Sequence, residues 1–89
     1  MEPQRLLLAD DHALFRDGLA RLFAYEEDFL IVGEADSATA AIEAAQRLTP
    51  DLVLMDVDMP GGGGIEATRR IKSQLPDTRV VMLLSLIHI

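Results

Sequence analysis

A short apolar segment that ends in two acidic residues and a glycine-rich turn constrains the fold of this chain more than any other feature. Residues 52–55 are continuously apolar and follow Pro50, a pattern typical of a strand buried on both faces of a parallel sheet. Asp56 and Asp58 come where this strand ends, and Pro60 with four consecutive glycines turns the chain before the next helix. Because parallel sheets bind ligands at the carboxyl ends of their strands, these acids are the first candidate functional residues.

Three further segments have the composition of strands, and helical patterns separate all four. The additional strand segments are residues 6–9, 29–35 and 79–83. Helical patterns begin at Ala13, after Ser37 and near Gly64. Strands and helices that alternate at this spacing predict parallel strands, right-handed crossovers and helices on both faces of the sheet. We therefore expect one small α/β domain with a doubly wound parallel sheet.

Three details of packing follow from the same patterns. The segment 29–35 is more polar at its end and is expected at a sheet edge. Asp11 is well placed to cap the first helix, and the pair Asp36 and Ser37 supplies a cap for the second. The apolar stripe of the first helix consists of Phe15, Leu19, Leu22 and Phe23.

Composition excludes several classes of function. The net charge of −7 argues against direct binding of a nucleic-acid backbone or an anionic membrane, and it favours an acidic cleft that attracts a cation. There is no cysteine, which excludes disulfides and thiolate chemistry and is consistent with a cytoplasmic protein. No apolar segment approaches the ~20 residues that a membrane-spanning helix needs.

A second acidic pair follows the first strand. Residues 6–9 end at Asp10 and Asp11, and pairing of the first strand with the third would bring both acids close to Asp56. Three carboxylates in one cleft repel each other unless a cation or protons intervene. Mg²⁺, which prefers oxygen ligands and phosphate, suits such a cleft, and one carboxylate could then attack a phosphoryl group. Taken alone, the same acids could be a helix cap and a solvated turn, and His12 is interpreted as a cap or surface residue rather than a ligand.

Several motifs in combination resemble the receiver domain of two-component response regulators, close to those that carry a LuxR/NarL-type helix-turn-helix. The matching segments cover most of residues 5–83 and are residues 9–12 (ADDH), 14–19 (LFRDGL), 50–56 (PDLVLMD), 59–61 (MPG) and 64–66 (GIE). Each segment alone is a weak signal, but their combination in this order is specific. The resemblance implies a CheY-like, flavodoxin-like sheet with strand order 2-1-3-4-5, here ending after the fourth strand.

The resemblance also implies a role for each acid. Asp56 is at the phosphoacceptor position, which takes a phosphoryl group from the phosphohistidine of a sensor histidine kinase. Asp11, Asp56 and the main-chain carbonyl of Asp58 are at Mg²⁺-ligand positions, and Asp10 is at the outer, water-linked position. The chain is accordingly expected to be a signalling module of a phosphorelay, not an enzyme with turnover of its own.

For the intact parent protein, the resemblance implies a cytoplasmic transcription regulator. DNA would be bound only through a C-terminal helix-turn-helix domain that this chain lacks, and no membrane contact is expected. Phosphorylation of the intact protein would favour a homodimer. The stimulus, the kinase and the target genes are not encoded in these residues.

Two positions depart from the family pattern, in which a hydroxyl residue after the fourth strand and a lysine after the fifth carry the switch. Leu84 is at the hydroxyl position, and Lys72, the single lysine, lies in the predicted third helix. Residues 84–89 match the translation of a transposase adapter used for sequencing libraries. We therefore expect residues 1–83 to be a partial receiver domain and residues 84–89 to be a non-native tail.

Two other functions fit part of the pattern. An apolar strand followed by Asp56 and Asp58 also resembles the nucleophile and general-acid pair of haloacid-dehalogenase-like phosphatases, although in that superfamily the pair usually follows the first strand. Alternatively, the chain is an inactive fragment, because truncation would expose the fourth strand as an apolar edge that invites association.

Overall fold

The computed structural model describes residues 2–83, in which four strands and three helices alternate along the chain. In chain order the elements are β1 (Gln4–Ala9), α1 (Ala13–Ala24), β2 (Phe29–Ala35), α2 (Ala38–Leu48), β3 (Leu52–Asp56), α3 (Gly63–Gln74) and β4 (Arg79–Leu83). All strand pairs are parallel, and their order across the sheet is β2-β1-β3-β4. The predicted doubly wound α/β fold is confirmed, and β2 is at a sheet edge as predicted.

The register of β1 against its two neighbours determines which strand ends meet. Ala9 lies opposite Ala35 of β2 and Met55 of β3. The amide of Asp10 donates to the carbonyl of Ala35 at 2.9 Å, so the hydrogen bonding continues one residue beyond β1. Asp10 and Asp56 therefore follow Ala9 and Met55 at the same end of two paired strands.

One face of the sheet, which we call the closed face, is covered by α2 and α3 and contains the main core. Successive strand residues point to opposite faces, so alternate side chains of β1 and β3 contribute to it. All the buried residues of α2 are alanines, which allow the helix to approach the sheet closely, and Ile71 is the largest buried side chain of α3. The buried members of this core are Leu7, Ala9, Ala35, Ala38, Ala41, Ala44, Ala45, Val53, Met55, Met59, Ala67 and Ile71.

The opposite face, which we call the open face, carries α1 against β2 and β1. The rings of Phe23 in α1 and Phe29 in β2 meet edge to face with their centroids 5.2 Å apart. Leu8 of β1 is buried on this side, whereas Leu54 of β3 is half-buried and Val81 of β4 is 46% exposed. Coverage of the open face therefore decreases from β1 towards β4.

The apolar stripe of α1 is only partly buried, and Leu22 is its most exposed member. Leu19 and Phe23 are half-buried, but Phe15 is 39% exposed and Leu22 is 68% exposed. No residue of α1 is fully buried. The predicted helical periodicity of α1 is confirmed. Within residues 2–83, however, the open face of the sheet is too small to cover the whole stripe.

The helix caps agree with the sequence prediction at α2 and differ at α1. The Ser37 Oγ accepts a hydrogen bond from the amide of Ala40 at 3.1 Å, as predicted. Asp11 does not cap α1, because the helix begins at Ala13 and the cap position is His12. The backbone of His12 is extended (φ −96°, ψ 102°), and its side chain makes no capping hydrogen bond.

β4 is the second edge of the described sheet and pairs with β3 alone. The predicted non-native tail, residues 84–89, lies outside the described residues, as does the predicted hydroxyl position at residue 84. Within residues 2–83, none of the helices has the length and apolar character needed to cross a membrane.

Candidate functional site

Four ionisable side chains converge beyond the carboxyl ends of β1 and β3. The residues are Asp10, Asp11, His12 and Asp56, and one potential ligand atom from each lies within 4.8 Å of all the others. The parallel pairing of β1 with β3 brings the three acids together, as the sequence analysis predicted. His12 was not among the predicted site residues.

Asp56 is the most deeply buried of the four, with 1% of its surface exposed. Its Oδ1 accepts a hydrogen bond from the amide of Asp58 at 3.3 Å. Its Oδ2 is buried and has no hydrogen-bond partner among the described residues. Burial is the largest influence on the Asp56 carboxyl and raises its pKa above the ordinary value. The hydrogen bond from the Asp58 amide opposes this, the negative charges of Asp10 and Asp11 raise the pKa further, and His12 lowers it by the smallest amount.

Asp10 and Asp11 differ in their surroundings although they are adjacent in sequence. Asp10 is 3% exposed, and its Oδ1 accepts a hydrogen bond from the amide of His12 at 2.7 Å. Its main-chain carbonyl accepts a hydrogen bond from Nη1 of Arg16 at 2.6 Å. The side chain of Asp11 is 31% exposed. Asp10 is thus fixed through both its side chain and its backbone, and Asp11 is the acid that is more accessible to solvent.

The imidazole of His12 lies among these carboxylates. Its Nδ1 is 3.0 Å from Oδ1 of Asp10, 3.1 Å from Oδ1 of Asp11 and 3.8 Å from Oδ2 of Asp56. The hydrogen bond with Asp10 raises the pKa of His12, and the charges of the three acids act in the same direction while desolvation opposes them. His12 occupies the cap position of α1, in agreement with the interpretation from the sequence, and its ring in addition contacts the acidic cluster.

Arg16 connects the acidic turn to the sheet edge. Besides its bond to the Asp10 carbonyl, its Nε donates to Oε1 of Glu34 in β2 at 2.8 Å. The guanidinium therefore links α1, the turn after β1 and β2. The sequence did not predict this contact, because the periodicity of α1 shows only that Arg16 lies outside the apolar stripe and does not identify its partner.

Asp58 is the predicted site residue whose side chain does not join the cluster. This side chain is exposed, and its amide donates to Asp56. The sequence prediction concerned only the main-chain carbonyl of Asp58, and the role of that carbonyl as a ligand stays a prediction.

The glycine turn holds α3 close to the end of β3. Gly61, Gly62 and Gly63 have φ values of 88°, 113° and 83°, a region that L-residues with side chains rarely adopt. A Cβ on Gly64 would lie 2.0 Å from the carbonyl oxygen of Asp56, and the amide of Gly64 donates to the carbonyl of Val57 at 2.9 Å. The glycines serve turning and close packing, in agreement with the interpretation of this segment as a turn.

The donor set fits a divalent cation. Carboxylate oxygens are the ligands that Mg²⁺ prefers, and three of them meet at this site. The buried Oδ2 of Asp56 accepts no hydrogen bond within the described residues, and the nearest cationic group is His12, with Nδ1 3.8 Å away. A bound cation would compensate the charge of this oxygen and relieve the repulsion between the acids.

Comparison with known proteins identifies relatives across nearly the whole chain. The model of the family described as response regulator receiver domain matches residues 6–86. The response regulator GacA of Pseudomonas viridiflava is 48% identical over 77 residues, which are 86% of this chain and 36% of GacA. The chain thus spans about a third of the length of this curated relative.

Two solved structures have the same fold. The signal receiver domain of the response regulator NarL from Mycobacterium tuberculosis is 36% identical and superimposes with a TM-score of 0.89, covering 94% of this chain and 68% of that one. RcsB from Salmonella enterica serovar Typhimurium, solved bound to a promoter in the presence of a phosphomimetic, is 28% identical with a TM-score of 0.85. That match covers 92% of this chain and 42% of RcsB.

Proposed function

Because the chain belongs to the response regulator receiver domain family, we propose that it is the phosphoacceptor module of a two-component phosphorelay and that Asp56 is the acceptor. Receiver domains take phosphoryl groups from histidine kinases, and they generally bind Mg²⁺ at an acidic cluster. The observation that supports Asp56 most directly is its buried Oδ2, which has no hydrogen-bond partner among the described residues and lies 3.8 Å from Nδ1 of His12.

In the proposed reaction, Oδ2 of Asp56 attacks the phosphorus atom of a phosphohistidine. An O–P bond forms as the P–N bond breaks, and the electron pair of that bond stays on the imidazole nitrogen, which then takes a proton. The product is an acyl phosphate on Asp56. The Asp58 amide, which donates to Oδ1, orients the carboxylate so that the other oxygen faces the incoming group.

We further propose that Asp11, Asp56 and the carbonyl of Asp58 hold Mg²⁺, with Asp10 acting on it through water. The cation, when bound, neutralises the negative charge that gathers as phosphate approaches the acids. The burial of Asp10 and its two hydrogen bonds suit a fixed outer position, and the greater exposure of Asp11 suits direct ligation.

The acceptor assignment is tested by incubating the protein with a small acyl-phosphate donor and Mg²⁺ and measuring the intact mass. We expect one added phosphate in the wild type and in Asp58→Asn, and none in Asp56→Asn. Addition of phosphate to Asp56→Asn would contradict the assignment. Chelation of the metal should abolish labelling without any substitution.

The phosphatase alternative is not favoured, since the family match covers both acids in a receiver domain. Asp58→Asn separates the two functions, because a phosphatase that uses Asp58 as general acid would lose steady turnover with this substitution. A receiver domain would show stoichiometric labelling and no steady turnover in either form. The inactive-fragment alternative predicts no labelling of the wild type at all.

For the parent protein we propose a cytoplasmic transcription regulator that binds DNA through a C-terminal domain and forms a homodimer when phosphorylated. The promoter-bound structure of the relative RcsB supports the DNA partner. We also propose that residues 1–83 are part of a receiver domain and residues 84–89 are a non-native tail. Genomic sequence through the codon for Leu84 tests the last point, because a native gene would encode a different continuation.

A further inference from the structure

Arg16 lies outside the acidic cluster, yet it contacts the turn that carries Asp10 and Asp11. We propose that Arg16, held by Glu34, is a positioning residue: it fixes the peptide between the two acids and thereby sets the affinity of the site for Mg²⁺. This inference rests on the proposed function, because the acids that it positions are the proposed ligand and the proposed outer, water-linked acid.

The main chain of Asp10 is anchored on both sides. Its amide donates to the carbonyl of Ala35 in β2 at 2.9 Å, and its carbonyl accepts a hydrogen bond from Nη1 of Arg16 at 2.6 Å. That carbonyl belongs to the same peptide unit as the amide of Asp11. Because a peptide unit is planar, the bond from Arg16 fixes the plane from which the chain continues into Asp11. It therefore restricts the directions available to the Asp11 carboxylate.

The guanidinium of Arg16 is itself held by β2. Its Nε donates to Oε1 of Glu34 at 2.8 Å, and the side chains of Arg16 and Glu34 are 20% and 41% exposed. Glu34 directly precedes Ala35, the residue whose carbonyl accepts from the Asp10 amide. The planar guanidinium presents its donors in a rigid fork, so one side chain can serve two acceptors in a fixed geometry. β2 thus holds Asp10 twice, directly through Ala35 and indirectly through Glu34 and Arg16.

The charge of Arg16 and its hydrogen bond have opposite consequences for a cation at the site. A positive group near the acids repels a cation, so loss of the charge alone would strengthen Mg²⁺ binding. Loss of the bond to the Asp10 carbonyl would free the peptide before Asp11, and metal binding would then have to order it, which weakens binding. The direction of the change in Mg²⁺ affinity therefore distinguishes a positioning role from a purely electrostatic one.

The test compares wild type, Arg16→Gln and Arg21→Gln in the full chain. Arg21 is exposed in the last turn of α1, so Arg21→Gln is the matched control that removes the same charge from the same helix. Glutamine is a good helix former, and both substitutions preserve the helix propensity of α1. Mg²⁺ affinity is measured by NMR titration, and urea titrations of the same proteins measure the free energy of unfolding separately.

We expect Arg16→Gln to weaken Mg²⁺ binding about tenfold or more, the range typical when a residue that orients metal ligands is lost, and Arg21→Gln to change it less than about twofold. A readout without metal is amide hydrogen exchange in chelator. The amide of His12 donates to Oδ1 of Asp10 at 2.7 Å, and it should exchange faster in Arg16→Gln than in wild type or Arg21→Gln.

Glu34→Ala tests the same contact from the exposed end of the ion pair, and it does so even if Arg16→Gln does not fold. It should weaken Mg²⁺ binding about threefold or more in the wild-type background but less than about twofold in Arg16→Gln, because residues that act through one another are not additive.

Unchanged or stronger Mg²⁺ binding in Arg16→Gln would overturn the inference, because Arg16 would then act only through its charge or through stability. An equal weakening in Arg21→Gln would overturn it as well. So would additive effects of Arg16→Gln and Glu34→Ala, since Glu34 would then act independently of Arg16.

Asp56→Asn separates this inference from the proposed function. If Mg²⁺ binding is lost in Asp56→Asn but is unaffected by Arg16→Gln, the proposed metal site stands and only the positioning role is refuted. If the wild type binds no Mg²⁺, or Asp56→Asn binds it as tightly as wild type, the proposed metal site and the positioning role fail together.

Discussion

The closed and open faces of the sheet differ in how completely their helices remove apolar side chains from water. On the closed face, Ile71 of α3 is 1% exposed, whereas Leu22 of α1, on the open face, is 68% exposed. The same contrast holds within β4, where Val80 packs against the closed core and Val81 is 46% exposed. Burial in this sheet is therefore decided by which helix lies over each strand, and not by the apolar pattern of the strand itself.

The largest expected effect is the loss of stability when the closed core is truncated. Ile71→Ala removes a fully buried side chain and should lower the free energy of unfolding by about 2–5 kcal/mol. Leu22→Ala is the matched control on the open face and should change it by about 0.5 kcal/mol or less. Urea titrations followed by circular dichroism measure both. Equal losses of unfolding free energy would show that the two faces contribute equally to stability, and the contrast between them would not hold.

A smaller loss is expected where α3 meets the end of β3. Gly64→Ala places a Cβ 2.0 Å from the carbonyl oxygen of Asp56, so backbone must move, at a cost of about 1–3 kcal/mol in unfolding free energy. The movement should also disturb the site, since Asp56 is the acceptor proposed above. Phosphate labelling that persists at the wild-type rate, together with unchanged stability, would show that α3 can shift freely.

A gain in stability is expected at the acidic site, beyond the carboxyl ends of β1 and β3 and between the two faces of the sheet. Asp56 has a raised pKa in the fold, so the folded protein binds its proton more tightly than the unfolded chain does. Ionisation of this carboxyl therefore lowers the free energy of unfolding. The loss grows as pH rises above the ordinary pKa of 3.8 and is complete above the folded pKa. Asp56→Asn in chelator should raise the unfolding free energy by about 1–2 kcal/mol at neutral pH and by almost nothing in strong acid.

Asp56→Asn also removes the attraction between Asp56 and His12, and this loss offsets part of the expected gain in unfolding free energy. The pKa of His12 is raised in the fold, so its contribution to stability is present below its ordinary pKa of 6.5 and is lost as pH rises through the folded pKa. Unfolding titrations of both proteins across this range measure the balance. A wild type that is more stable than Asp56→Asn at neutral pH without metal would contradict the prediction.

The smallest expected effect is a gain on the open face. Gly18 is exposed in α1, and a Cβ there would have no atom within 4 Å. Gly18→Ala should raise the free energy of unfolding by about 0.5–1 kcal/mol, because alanine loses less backbone entropy in a helix. Thermal unfolding measures this gain. A loss of stability would indicate that α1 is packed more tightly than the open face suggests.

Much of the fold could be predicted because its strands are marked by apolar segments and its turns by specific residues. The meeting of Asp10 and Asp11 with Asp56 followed from the strand order that the family resemblance implied. The placement of His12 could not be predicted in this way, because the direction of its ring depends on the turn before α1 and on no periodic pattern. The exposure of Leu22 could not be predicted for a related reason. An apolar stripe shows which side of a helix is apolar, but it does not show how much of that side the sheet covers.

The central position of β1 has a consequence for the kinetics of folding. β1 begins the described fold, and it pairs with β2, the next strand along the chain, and with β3, which is more distant in sequence. Closing the longer loop between β1 and β3 costs more chain entropy than forming either of the other two pairs. The acids come together only when this loop has closed, so a dication at the site would stabilise only those conformations in which the slowest pairing is already complete.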